Sequence, residues 1–192
     1  NVQYCIETVI REKIAGDLVE TGVWRGGVGI LMRAIVKAWE PWDETPDRFV
    51  WMADSFAGLP KPDPIAYPTD AGDAHHAIEA LRVPMEDVAD NFARFDLLDD
   101  GVVFVRGWFR DTLPTISVEK IAVLRLDGDM YESTIVALEN LYPRLVTGGF
   151  LIVDDYGSHQ SCTRAVDTYR QANGITDPMI KIDWTGSFWR KS

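Results

Sequence analysis

Residues 121–129, IAVLRLDGD, have the pattern that indicates the fold class of this chain most clearly. Six mostly apolar residues are followed directly by Asp-Gly-Asp. The apolar residues show no sustained alternation with polar ones, as expected of a strand that is buried on both faces of a sheet. Ligands of open parallel sheets bind beyond the carboxyl ends of the strands, so acidic residues in this position indicate a functional edge.

The same pattern recurs along the chain, with helical spacing between the repeats. Four further short apolar segments are each followed by a glycine or an acidic residue. Strands and helices in alternation favour an α/β fold with a mostly parallel, doubly wound sheet. The predicted strands are residues 17–21, 48–53, 102–106, 121–126 and 150–153, and the predicted helices begin at Val2 and then cover 28–38, 88–95, 135–145 and 163–171.

The C-terminal segment has a different pattern. Residues 179–183 and 187–191 are two short strand-like arms, and Gly186 lies in the turn between them. This arrangement predicts a terminal antiparallel hairpin at the edge of the sheet.

Length and charge limit the function classes. The 192 residues, with a formal net charge of −11, fit one domain spanning 1–192, since domains average roughly 150 residues. The acidity argues against nucleic acid and against an anionic membrane surface. No apolar run reaches the roughly 18 residues of a membrane span, and the first residues lack the pattern expected of a signal peptide. Two cysteines, Cys5 and Cys162, fit a reducing cytoplasm better than a disulfide scaffold.

The first candidate ligand-binding segment is ETGVWRGG, residues 20–27, between the first strand and the next helix. Glycine lets backbone approach a ligand closely, and the helix start offers free N–H groups. Trp24 replaces the second glycine of the dinucleotide fingerprint, and the Lys-Ser/Thr pair of a phosphate-binding loop is missing. Glu20 suits a ligand with a cationic group, such as the amino group of S-adenosylmethionine. An ordinary tight turn remains the alternative.

The second candidate segment is Asp54-Ser55, directly after the second strand. An acid in this position commonly accepts hydrogen bonds from ribose hydroxyls in nucleotide-binding sheets. The alternative is that Asp54 caps the following helix. Trp108, after Gly107 and the third strand, could stack on an adenine or be buried in the core.

The third and strongest candidate is a group of acids. Asp127 and Asp129 follow the fourth strand, and Asp154 and Asp155 follow the fifth. Neighbouring strands lie about 4.8 Å apart, so their ends could bring these four carboxylates together. Such a cluster raises pKa values or requires a counter-cation, and a hard ion such as Mg²⁺ suits oxygen ligands. The alternative is a set of caps and solvated turns.

Two features carry no assigned role. Residues 58–73 contain four of the ten prolines, and a loop of this length is either functional or a plain surface excursion. His75 and His76 lie in or near this loop, and His159 follows the pair Asp154-Asp155. Such histidines are more often surface or packing residues than catalysts.

Five motifs in order resemble the macrocin O-methyltransferase family, the TylF/MycF-type enzymes that methylate macrolide sugars. They are ETGVWRGG (20–27), DSFAGLP (54–60), GWFRDTLP (107–114), LDGDMYEST (126–134) and VDDYG (153–157). The resemblance runs from about Asn1 to the end of the chain. It implies a Rossmann-like class I methyltransferase fold, S-adenosylmethionine as donor and Mg²⁺ as metal, with a sugar hydroxyl of a small-molecule natural product as acceptor.

The resemblance also implies residue roles. Asp127, Asp154 and Asp155 match metal ligands, and Asp129 matches a proposed general base beside Asp127. The donor-binding wall is matched by Glu20, Thr21, Gly22, Val23, Trp24, Arg25, Asp54, Ser55 and Asp127, and its adenine side by Gly107 and Trp108. The resemblance also implies an N-terminal segment that helps to cover the active site in family members, and we expect this lid to be missing from the sequence that begins at Asn1. A homodimer is left open.

Two alternatives compete with a Mg²⁺-dependent sugar O-methyltransferase. Asp127-Gly128-Asp129 also fits a haloacid-dehalogenase-like phosphatase, although that motif normally follows the first strand and no lysine lies between Lys120 and Lys181. The other alternative is a module that binds the donor without turnover.

Overall fold

Seven strands form a single sheet in the computed structural model, which describes residues 1–39 and 48–192. All five predicted parallel strands are present, and their carboxyl ends agree with the prediction to within one residue. The strands are β1 (Asp17–Thr21), β2 (Val50–Asp54), β3 (Val102–Arg106), β4 (Ile121–Leu126), β5 (Leu145–Val153), β6 (Ile180–Lys181) and β7 (Ser187–Arg190).

The strand order is β3-β2-β1-β4-β5-β7-β6. β1 to β5 are parallel, whereas β7 runs antiparallel to β5 and to β6, as the predicted terminal hairpin requires. The chain builds outward from β1 to β3 and then crosses to β4 on the other side of β1. The sheet therefore has its topological switch point between β1 and β4, where ligands of such sheets bind.

Helices cover both faces of the sheet, so the strands are buried on two sides. Leu18 and Val123 pack in one apolar cluster with residues of the first three helices, while Val19 and Leu124 pack in a second cluster with the last two. Successive strand residues point to opposite faces, which explains the lack of alternation in the sequence. The helices are α1 (Val2–Arg11), α2 (Gly27–Trp39), α3 (Met85–Arg94), α4 (Phe109–Thr112), α5 (Tyr131–Leu141) and α6 (Gln160–Ala172).

The prediction was wrong about the boundary between α5 and β5. A helix was expected over 135–145, but α5 begins at Tyr131 and ends at Leu141, and Leu145 already belongs to β5. A 3₁₀ turn that contains Pro143 separates the two elements. Proline lacks the N–H that would continue an α-helix, and the buried Leu145 has the same apolar character in either element.

The proline-rich segment 58–73 is tied to the fold through Asp70 and is therefore not a plain surface excursion. Asp70 is 1% exposed, at the end of a 3₁₀ turn (Pro68–Asp70). Its carboxylate accepts hydrogen bonds from the backbone N–H groups of Tyr131 (2.7 Å) and Glu132 (2.9 Å). The segment thus supplies the cap for the N-terminus of α5.

None of the helices in the described part of the chain combines the length and apolarity that crossing a membrane requires.

We expect Asp70→Ala to lower the free energy of unfolding by about 1 kcal/mol, because two N–H groups at the start of α5 lose their acceptor. Urea denaturation of the purified protein measures this change. The matched control is Asp63→Ala in the same segment, where an exposed carboxylate accepts hydrogen bonds from Ile65 N and Ala66 N of its own turn. Equal losses in the two variants would contradict the capping role of Asp70.

Candidate active site

The register of the central strands brings three predicted site segments side by side. Thr21 pairs with Leu126, and Leu126 pairs with Val153, so β1, β4 and β5 end level with one another. The pairing continues one residue further, since Asp127 N donates to Thr21 O and Asp154 N donates to Leu126 O, both at 2.9 Å. The glycine turn and both acid motifs therefore share one edge of the sheet.

The turn after β1 approaches Asp127 so closely that only glycine fits. Gly22 has φ = +85°, and a Cβ on this residue would lie 1.7 Å from the carbonyl oxygen of Asp127. Trp24, in the same turn, has φ = +46°, a backbone conformation that residues other than glycine rarely adopt. The turn is thus fixed against the strand end that carries the acids.

Asp54 fixes the other side of this turn. Its Oδ2 accepts hydrogen bonds from Val23 N (2.7 Å) and Trp24 N (3.3 Å), and its Oδ1 accepts from Phe56 N (2.8 Å). The carboxylate thus caps the glycine turn rather than the following helix, which was the alternative considered from the sequence. Ser55 completes the segment by donating to Gly58 O at 2.6 Å.

A cavity of about 270 Å³ opens along this edge between the sheet and α5. Six of the predicted donor-binding residues line it: Gly22, Trp24, Asp54, Ser55, Trp108 and Asp127. Five others, Glu20, Thr21, Val23, Arg25 and Gly107, lie outside the lining. Further lining residues that were not predicted are Gly58, Leu59, Pro60, Leu81, Phe109, Arg110, Gly128, Glu132, Ser133 and Val136, while Asp129 lines the cavity at its acidic end.

Several residues outside the lining are next to lining residues in the sequence or in contact with them. Thr21 and Val23 are buried. The guanidinium of Arg25 stacks over the Trp24 ring at 4.7 Å, and Gly107 N donates to Asp54 O at 2.9 Å.

The structure brings the carboxylates of Asp127, Asp154 and Asp155 together. One oxygen from each lies within 4.8 Å of the others, a spacing that could hold a metal ion. Burial, with repulsion from the neighbouring carboxylates added to it, raises the pKa of Asp127 to about 6 and the pKa of Asp155 to about 6. Asp155 Oδ2 is buried and has no hydrogen-bond partner among the described residues. An oxygen-only set of this kind suits a hard divalent cation.

Arg125 is the cation that the sequence analysis missed. It lies in the otherwise apolar strand β4, its side chain is 7% exposed, and it forms ion pairs with three carboxylates. Nη1 donates to Glu20 Oε1 (2.8 Å) and to Asp127 Oδ2 (2.7 Å), and Nη2 donates to Asp154 Oδ1 (2.5 Å). A charged residue within a strand buried on both faces was the available signal, because such a charge requires partners.

Glu20 is buried and does not line the cavity. The residue is 1% exposed, and burial raises the pKa of its carboxyl group to about 8, an effect that Arg125 opposes. Its Oε2 has no hydrogen-bond partner among the described residues. Direct contact between Glu20 and a donor amino group therefore stays a prediction, and the contact present in the structure is the one with Arg125.

Asp129 lies beside histidines rather than beside Arg125. Its Oδ1 is 3.9 Å from His159 Nδ1, and the same nitrogen is 3.5 Å from Asp155 Oδ1. The His159 ring makes an edge-on contact with the ring of His75, whose Nδ1 pairs with Asp73 Oδ2 at 2.7 Å. Burial raises the pKa of Asp129, and the nearby His159 lowers it.

The chain is similar to known proteins over its whole length. The sequence model of the macrocin O-methyltransferase (TylF) family matches residues 1–191. An 8-demethyl-8-(2,3-dimethoxy-alpha-L-rhamnosyl)-tetracenomycin-C 4'-O-methyltransferase of Streptomyces olivaceus is 52% identical over 191 residues, which are 99% of this chain and 71% of the relative. The demethyldecarbamoylnovobiocin O-methyltransferase of Streptomyces niveus is 48% identical over 193 residues, with 100% and 72% covered.

Among solved structures, the O-methyltransferase NovP superposes with a TM-score of 0.95 at 48% identity. The match covers 100% of this chain and 78% of that chain. The Rossmann-like methyltransferase fold expected from the sequence is thereby confirmed.

We expect Gly22→Ala to destabilise the protein by more than about 2 kcal/mol, because the substitution adds left-handed backbone strain to a clash with Asp127. Urea denaturation measures the loss. The control is Gly27→Ala at the start of α2, where a Cβ meets no atom within 4 Å. Helix propensity makes that change neutral or stabilising by up to about 1 kcal/mol. If both variants unfold at the wild-type urea concentration, the close approach at Gly22 is wrong.

Proposed function

The chain belongs to the macrocin O-methyltransferase (TylF) family, and from that premise we propose that it transfers a methyl group from S-adenosylmethionine to a sugar hydroxyl, with Mg²⁺ held by the acid cluster. The acceptor would be a glycosylated small-molecule natural product, because the similar enzymes are named for methylating such compounds. One observation carries the proposal. A cavity lined by the glycine turn and Asp54 at one side meets an oxygen-only acid cluster at the other.

The donor side of the proposal rests on the cavity lining. Trp24 and Trp108 line the cavity with aromatic side chains, and Asp54 and Ser55 line it with side chains that carry oxygen atoms. Aromatic rings suit the adenine of the donor, and hydroxyl-binding acids suit its ribose. Thr21, Val23, Arg25 and Gly107 would act on the donor through the turn that they support.

The metal side of the proposal rests on the fit of the donor atoms. Asp127, Asp154 and Asp155 would hold Mg²⁺, because their oxygens are close together and the buried Asp155 Oδ2 has no hydrogen-bond partner among the described residues. When bound, Mg²⁺ would supply a Lewis acid that makes a neighbouring sugar hydroxyl more acidic.

The reaction then needs a base and a straight path between acceptor and donor. Asp129 lines the acidic end of the cavity, and its raised pKa makes it a better proton acceptor than an exposed carboxylate. In the proposed reaction Asp129 takes the hydroxyl proton, and the acceptor oxygen attacks the methyl carbon. The bond from that carbon to sulfur breaks, its electron pair stays on sulfur, and S-adenosylhomocysteine leaves. The cavity walls contribute by holding the two reactants in line.

We expect Asp154→Ala to abolish methyl transfer and to leave donor binding largely intact, because the variant loses a proposed metal ligand that does not line the cavity. A radiolabelled methyl-transfer assay over a panel of glycosylated natural products measures the first effect, and calorimetric titration with S-adenosylmethionine measures the second. Asp90→Ala, on the exposed face of α3, makes the same chemical change away from the site. Full activity of the Asp154 variant, or of the wild type in excess EDTA, would refute the metal assignment.

We expect Asp129→Asn to lower kcat by about 10²- to 10⁴-fold, because an amide cannot accept the hydroxyl proton. Binding of Mg²⁺ and of donor should change little, since neither proposed set of contacts includes Asp129 as a ligand. Steady-state kinetics measures kcat, and calorimetry measures the binding of Mg²⁺ and of donor. A variant that loses donor affinity but keeps kcat would show that Asp129 binds substrate instead of acting as the base.

A further inference from the structure

We propose that Arg125 is a positioning residue that orients Asp127 and Asp154 for the metal ion. The proposal rests on the proposed function, since it concerns the same acid cluster. Arg125 itself would touch neither the metal nor the acceptor. It would act through the two carboxylates that it binds.

The contacts assign one oxygen of each aspartate to the arginine. Nη1 binds Asp127 Oδ2 and Nη2 binds Asp154 Oδ1, at 2.7 and 2.5 Å. Each carboxylate therefore keeps its second oxygen for another ligand. Because the guanidinium is rigid and planar, its two terminal nitrogens fix the separation of the two carboxylates as well as their rotation.

Glu20 holds the guanidinium in place. Its Oε1 accepts from Nη1 at 2.8 Å, and both side chains are almost fully buried in neighbouring strands. Register places Glu20 directly opposite Arg125, so the pair is part of the sheet itself. The position of the guanidinium is therefore fixed, and from this position it can align the acids at the strand ends.

Positioning and simple charge neutralisation predict opposite effects on Mg²⁺ affinity. If Arg125 acted only as a competing positive charge, removing its charge would tighten Mg²⁺ binding, and replacing it with lysine would change little. If the forked geometry aligns the ligands, lysine should weaken binding although the formal charge is unchanged, because an ammonium is a single point that cannot reproduce the span between the two nitrogens.

The experiment titrates MgCl₂ into metal-free Arg125→Lys and wild-type protein by calorimetry, with no turnover required. We expect the lysine variant to bind Mg²⁺ at least about tenfold more weakly. The matched control is Arg33→Lys, since Arg33 is another buried arginine, which binds both oxygens of Asp99 through Nε and Nη2. It should lose thermal stability and keep wild-type Mg²⁺ affinity. Equal affinity in Arg125→Lys and wild type would overturn the proposal.

A second variant covers the case in which the lysine substitution prevents folding. Glu20→Gln combined with Arg125→Met removes the charges of both members of the buried pair, so neither charge remains buried without the other. The positioning role predicts weaker Mg²⁺ binding here as well. Unchanged or tighter binding would mean that Arg125 only balances charge.

Failure of this inference and failure of the proposed function give different results. Wild-type protein that does not bind Mg²⁺ refutes the metal-dependent function and this inference together. Wild-type protein that binds Mg²⁺, with both Arg125 variants binding it equally well, refutes the role of Arg125 alone.

Discussion

The arrangement of carboxylates at the carboxyl ends of the strands depends on the buried guanidinium of Arg125. Parallel register brings the ends of β1, β4 and β5 level, and this arrangement gathers carboxylates that repel one another. Arg125 offsets that repulsion by binding Glu20, Asp127 and Asp154 at once. Carboxylates so close together, with no cation between them, would have to be protonated or turned toward solvent. The arginine lets Asp127 and Asp154 stay close together although both side chains are partly shielded from water.

The acid cluster could be predicted from the sequence because it depends only on local pattern and sheet geometry. Each acid directly follows an unmistakably apolar segment, and parallel strands end at a common edge, so Asp127 and Asp154 had to be neighbours once β4 and β5 paired. The same logic located Gly22 and Asp54. What those residues do as ligands came from the resemblance to a family, since spacing alone left structural alternatives open for each of them.

The features that the sequence did not reveal all depend on contacts between distant segments. Asp70 caps α5 from 61 residues away, and no local signal in a proline-rich loop distinguishes a buried cap from a solvated turn. Arg125 was overlooked because a single charge in an apolar run appears as an interruption, whereas its partner Glu20 is 105 residues distant. The α5–β5 boundary was misplaced because leucine is apolar in helices and strands alike, so the apolar pattern continues through the turn that contains Pro143.

Electrostatics links the acid cluster to the direction of the proposed reaction. Acids outnumber bases around the cavity, since Asp54, Asp127 and Asp129 line it while Arg110 is its sole basic lining residue in the described part of the chain. Arg110 is half exposed and already pairs with Glu132, so the cavity keeps a negative field that water screens only in part. A sulfonium donor would gain from that field, whereas the thioether left after methyl transfer has lost the sulfonium charge. The lining carboxylates outside the proposed metal set, Asp54 and Asp129, would therefore favour the sulfonium donor over the product of methyl transfer.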